Sequence, residues 1–143
     1  MAEVAVRAAL DEAGLSALVS VDSAGTGDWH VGQAMNSGAR AALSRRGYDG
    51  SAHRARQFDE SWFASRDLVL AMDSSNLSDL LRMGGSPASV RLFADFAELS
   101  DVVDIPDPYG GGPADFDHVL DLLETAAPVV AARLGRLVAA VPE

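Results

Sequence analysis

The chain has 143 residues, 48% of them hydrophobic and 22% charged, which is the composition of one globular domain and excludes a disordered chain. Its net charge of −10 argues against nucleic acid or an anionic membrane as the main partner. It contains no cysteine, which excludes disulfides, zinc-thiolate sites and a cysteine nucleophile within these residues. All eleven basic residues are Arg. No apolar run is long enough to cross a bilayer and no signal peptide or basic leader opens the chain, so the cytoplasm is the expected location.

Residues 1–15 carry apolar side chains at helical spacing, with Gly14 as the stop. No N-cap residue precedes Met1, so this helix reads as cut rather than begun. Residues 17–22, rich in Val and Leu, predict a short strand, and residues 23–32 a glycine-rich loop carrying Trp29. That loop lacks the G-x-G-x-x-G spacing of a dinucleotide site. A second helix is expected over 36–46, closed by Gly47, then a connection containing His53. Asp59 is a plausible cap for a helical turn over 59–65, with Trp62 and Phe63 facing the core. The run Asp67-Leu68-Val69-Leu70-Ala71-Met72 has the character of a buried parallel strand, followed by a helix from Asp73 to about Met83 and a last strand over 90–93.

Residues 113–141 show one apolar stripe: Phe116, Val119, Leu120, Leu123, Ala127, Val130, Leu134, Leu137 and Val141. Pro128 falls inside it, which predicts a kink or two abutting helices. The alternation of helices and strands predicts an α/β fold, a parallel sheet with helices on both faces.

Residues 104–112 (Asp-Ile-Pro-Asp-Pro-Tyr-Gly-Gly-Gly) can continue neither helix nor strand, so they form a shaped loop. Pro108 biases Asp107 toward an extended backbone. A carboxylate beside an aromatic ring on a loop suits a general acid aimed at a phenolic leaving group, although Asp and Pro are also ordinary turn residues. Arg54 and Arg56 could suggest anion binding, but two loop arginines are more simply solvated surface.

The order of elements and loops resembles the low-molecular-weight protein tyrosine phosphatases. The stretches that carry the resemblance are Met1-Ala2-Glu3, Asp22 to Thr26, Asp28 to Gly32, His53-Arg54-Ala55-Arg56-Gln57, Leu70 to Asn76 and Asp107-Pro108-Tyr109, in family order. The resemblance implies a four-stranded parallel sheet with helices on both faces. It also implies a phosphate loop in which a cysteine and an arginine cradle the phosphate just ahead of the position that Met1 matches. On this reading the first, central strand and that loop are missing from the domain spanning 1–143. A start placed too late is then expected, with the loop encoded upstream. The resemblance makes Asp107 the general acid, Trp29 and Tyr109 the walls of the substrate cleft, and Ser23, His53 and Asp73 supports of the phosphate loop. It implies no metal and no cofactor, and a phosphotyrosine protein or small aryl phosphate as substrate. Gly110 stands where the family often has a second aromatic, which leaves the breadth of the aromatic wall open.

Family chemistry runs through a phosphocysteine, so the chain as written is expected to be inactive. Two alternatives stand beside this one. A non-catalytic relative could bind a phosphopeptide or other partner through the remaining loops. An arsenate reductase on the same fold would need several cysteines in relay, and the chain has none.

Overall fold

The computed structural model describes residues 1–28 and 30–140. They form an α/β protein with a parallel sheet and helices, and divide into two compact parts, each built from separated stretches. The first holds Met1–Ser23, Ala34–His53 and the residues from 108 on; the second holds Ala24–Gln33 and Arg54–Asp107.

In the first part, α1 (Ala2–Glu12), α2 (Ser37–Arg45) and α5 (Pro113–Ala140) make the core. Both α1 and α2 pack against α5. Asn36 caps α2 by accepting from the amides of Gly38 and Ala39. At its other end Gly47, at φ +84°, lets the Tyr48 amide turn back onto the Leu43 carbonyl at 3.0 Å. Ala39, Ala42 and Leu43 of α2 meet Phe116 and Leu120 of α5, with Met1, Val4, Met35 and Tyr48 at the edge of the cluster. Gly38 is required there, because a Cβ would lie 2.5 Å from the Phe116 ring. On the rim, Arg46 pairs with Asp121 at 2.8 Å and Glu124 at 3.0 Å, and Arg45 with Asp117 at 2.9 Å.

In the second part, β1 (Val69–Ala71) pairs in parallel with β2 (Val90–Leu92), with Val69 opposite Val90. Between them runs α3 (Ser74–Arg82), and the short α4 (Phe93–Phe96) follows; both helices pack on this two-stranded sheet. Its core joins Ala71, Leu80 and Val90, bordered by Phe58, Phe63, Val69, Leu77 and Leu92. A 3-10 turn at Glu60–Ala64 is capped by Asp59, whose side chain accepts from the Ser61 amide at 2.8 Å. Hydrogen bonds to Asp59 from the Ser61 hydroxyl and amide hold its carboxyl below the ordinary 3.8.

Several sequence expectations change. Residues 17–22 are not a strand; Leu18 is 63% exposed, and the Val21 carbonyl accepts from the Arg7 guanidinium at 2.7 Å instead of from a ladder partner. A strand exists through its neighbour's backbone, and local β-propensity does not supply one. The strand expected over 67–72 is shorter and only half-buried at Val69 and Leu70. The α5 stripe fails at its end, where Leu137 is 53% exposed; Val141 lies outside the described residues. Pro128 sits inside one continuous α5 rather than between two helices. Its position is solvent-exposed, so water can satisfy the Glu124 carbonyl that it cannot serve. No helix among the described residues is long and apolar enough to cross a membrane.

Candidate active site

The second part positions Asp107. After β1 the backbone at Asp73 is extended, and its carboxylate accepts from the Asn76 amide at 2.7 Å, capping α3. The Ser74 amide, another donor in that first turn, goes to Asp104 Oδ1 at 2.9 Å, and the Ser74 hydroxyl donates to the same oxygen at 2.7 Å. One residue later the Ile105 amide donates to the Met72 carbonyl at 2.8 Å, and the Ile105 side chain is buried. The loop is therefore fastened to the β1–α3 junction at residues 104 and 105, and Asp107 is exposed two positions beyond.

Also in the second part, the glycine-rich loop is tied on both sides of position 29. The Gly25 amide donates to the Arg56 carbonyl at 2.8 Å, the Phe58 amide to the Gly25 carbonyl at 2.7 Å, and the Gly32 amide to the Ala55 carbonyl at 2.8 Å. Trp29, the expected cleft wall, lies outside the described residues. Arg56 is more than a solvated charge: it stacks over the Trp62 ring at 5.3 Å, and Arg66 lies over the same ring at 4.1 Å.

In the first part, Ser23 and His53 are brought together by a residue of the Met1-Ala2-Glu3 stretch to which the sequence reading assigned no role of its own. Glu3, in the first turn of α1, has a side chain only 10% exposed. It accepts from Ser23 Oγ at 2.8 Å, pairs with Arg7 at 3.3 Å, and lies 3.8 Å from His53 Nδ1. Burial pushes the nearby Met1 α-amino group down, and the Glu3 carboxylate pulls it the other way. Tyr109 is 65% exposed on a tight turn in which the Gly111 amide donates to the Pro108 carbonyl at 2.8 Å. Gly110, at φ +80°, makes that turn possible, a conformation a second aromatic would adopt only under strain. A hollow of about 310 Å³ lined by Arg7, Leu10, Asp11, Ser16, Val19 and Val21 contains none of the expected site residues. Among the described residues no group of three or more His, Asp or Glu is arranged to hold a metal.

Comparison with known proteins bears on what this assembly is. The family model described as "Low molecular weight phosphotyrosine protein phosphatase" matches residues 1–140. The chain belongs to that family. A low molecular weight protein-tyrosine-phosphatase of Streptomyces coelicolor is 42% identical over 132 residues, covering 89% of this chain and 80% of the relative. A putative member from Synechocystis is 41% identical, covering 94% and 87%. Among solved structures, YfkJ of Bacillus subtilis superposes with a TM-score of 0.87 at 31% identity, over 95% of this chain and 86% of that one. A protein tyrosine phosphatase of Entamoeba histolytica, with Hepes in its active site, gives 0.87 at 30% identity, over 94% and 87%.

Glu3 and Asp104 lie in stretches that the sequence reading named, Met1-Ala2-Glu3 and 104–112, but neither had a role there. Ser74 and Asp104 are thirty positions apart, and their segments meet through the Asp104–Ser74 bonds and the Ile105 amide on the Met72 carbonyl. The available signal was a carboxylate just ahead of two prolines, at the entrance to a loop that has to be held still.

Proposed function

We propose that this chain carries the acid half of an aryl phosphate monoesterase whose substrate is a phosphotyrosine protein or a small aryl phosphate. The observation that carries the reading is Asp107-Pro108-Tyr109, in a chain matched to the phosphatase family over residues 1–140, with residues 104 and 105 anchored and Asp107 an exposed residue. In the proposed reaction a thiolate attacks phosphorus, an S–P bond forms and the P–O bond to the phenol breaks. Protonated Asp107 gives its proton to the departing oxygen. Water then attacks the phosphocysteine, Asp107 takes its proton, and inorganic phosphate leaves with the thiolate restored.

The chain has no cysteine, so that thiolate comes from outside these 143 residues or not at all. The phosphoryl oxygens likewise need an arginine fork and loop amides for electrostatic stabilisation. In this reading Ser23, His53 and Asp73 brace the phosphate loop, Trp29 and Tyr109 flank the aryl ring, no metal or cofactor takes part, and the reaction belongs in the cytoplasm. The test joins the chain at its N-terminus to a strand and cysteine–arginine phosphate loop of the family type. That protein is expected to hydrolyse phenyl phosphate and p-nitrophenyl phosphate, and Asp107→Asn to slow phenyl phosphate far more than the nitrophenyl ester. Equal slowing of both would remove Asp107 from the acid role.

The lack of a cysteine also favours a second reading, a non-catalytic relative that binds a phosphorylated partner. Saturable binding of a phosphotyrosine peptide by the 143-residue chain, with no turnover in the extended protein, would select it.

A further inference from the structure

We infer that Asp104 is a positioning residue that fixes where Asp107 delivers its proton; this rests on Asp107 being the acid. The first N–H groups of a helix have no partner within it, and the positive end of the helix dipole favours carboxylates there. Two carboxylates share those donors at α3: Asp73 takes Asn76, and Asp104 takes Ser74 through both its amide and its hydroxyl. Asp73 is the local cap, next to the helix in sequence. Asp104 arrives from another segment, so its two bonds tether the loop to the helix rather than merely ending the helix. The Ile105 amide on the Met72 carbonyl, with Ile105 itself buried, adds a second tether one residue on.

Little freedom remains between that tether and the acid. Pro106 has a fixed φ and restricts Ile105, and Pro108 restricts Asp107 in the same way. The position of the Asp107 carboxyl is therefore transmitted from the Asp104–Ser74 junction through two stiffened residues. Proton transfer demands heavy-atom contact of about 2.6–3.2 Å, and a displacement of about 1 Å can cost on the order of 100-fold in rate. Loss of the tether harms a step that needs the proton and spares one that does not.

The test uses the extended, cysteine-bearing protein and two substrates, phenyl phosphate (a poor leaving group) and p-nitrophenyl phosphate (a good one). Asp104→Ala is expected to lower kcat/KM at least about 10-fold for the first and no more than about 2-fold for the second. Asp104→Asn, whose amide oxygen still accepts from Ser74, is expected to recover most of the loss. In the 143-residue chain, Asp104→Ala is expected to speed amide exchange at Ser74 and Ile105 while leaving the middle of α5 unchanged. Should Asp104→Ala not fold, Asp104→Glu displaces the carboxylate by one methylene and reads the same leaving-group dependence at smaller size. Equal slowing with both substrates, or none, would overturn the inference if Asp107→Asn in parallel shows a steep leaving-group dependence. If Asp107→Asn is itself flat, the acid assignment fails and takes this inference with it.

Discussion

Two carboxylate clusters hold three of the expected site residues, Ser23 and His53 in one and Asp73 in the other, and they are built in opposite ways. In the first part of the molecule one carboxylate, Glu3, is nearly withdrawn from water and serves side chains: Ser23, Arg7 and His53. In the second part, two carboxylates with access to solvent, Asp73 and Asp104, serve the backbone at one helix end. The Glu3 cluster depends on one part-buried acceptor, whose removal takes a hydrogen bond from the Ser23 hydroxyl and a carboxylate from beside His53. The Asp73–Asp104 cluster depends on geometry, because its bonds, exposed at Ser74 and part-buried at Asn76, are modest ones and the value lies in what they aim.

The largest stability effect separating them is expected from Glu3→Ala, which leaves the Ser23 hydroxyl and His53 without their carboxylate at a cost of about 2–3 kcal/mol. Urea unfolding would measure it, and a loss no greater than that of Arg7→Ala would break the contrast. Asp73→Ala removes an N-cap and is expected to cost about 1 kcal/mol in the same experiment. A loss matching that of Glu3→Ala would show that the second cluster is not held by modest bonds. Arg7→Ala is expected to change stability by less than about 0.5 kcal/mol, because its side chain is 53% exposed and water screens the pair. Raising the salt concentration should shrink even that difference.

Asp59 gives the smallest effect and fixes a sign. Its folded pKa lies below the unfolded value, so its contribution is complete above the unfolded value and is lost as pH falls through the folded one. Asp59→Asn should therefore narrow the stability difference between pH 5 and pH 2. An unchanged acid limb would place the effect elsewhere.

What the sequence disclosed depended on how local the cause was. Asn36 and Gly47 announce the ends of α2, and Asp73 the start of α3, because a cap and the turn it closes are neighbours in the chain. The break at 104–112 and the placement of Asp107 in it were legible for the same reason: proline and glycine act on their own backbone. The strand expected at 17–22 was not formed, since pairing requires a partner that propensity cannot reveal. The Glu3–Ser23 and Asp104–Ser74 contacts span twenty and thirty residues and leave no local pattern. The family resemblance pointed to Ser23, His53 and Asp73, but the carboxylates that bind two of them, or their neighbour, emerged only from the structure.

Turnover of phosphotyrosine by the purified 143-residue chain tests the account most directly. With Asp107 available and no thiolate in the sequence, release of inorganic phosphate should not exceed that of buffer. Sustained release that copurifies with the chain and disappears in Asp107→Asn would require a nucleophile other than sulfur and would contradict the proposed chemistry.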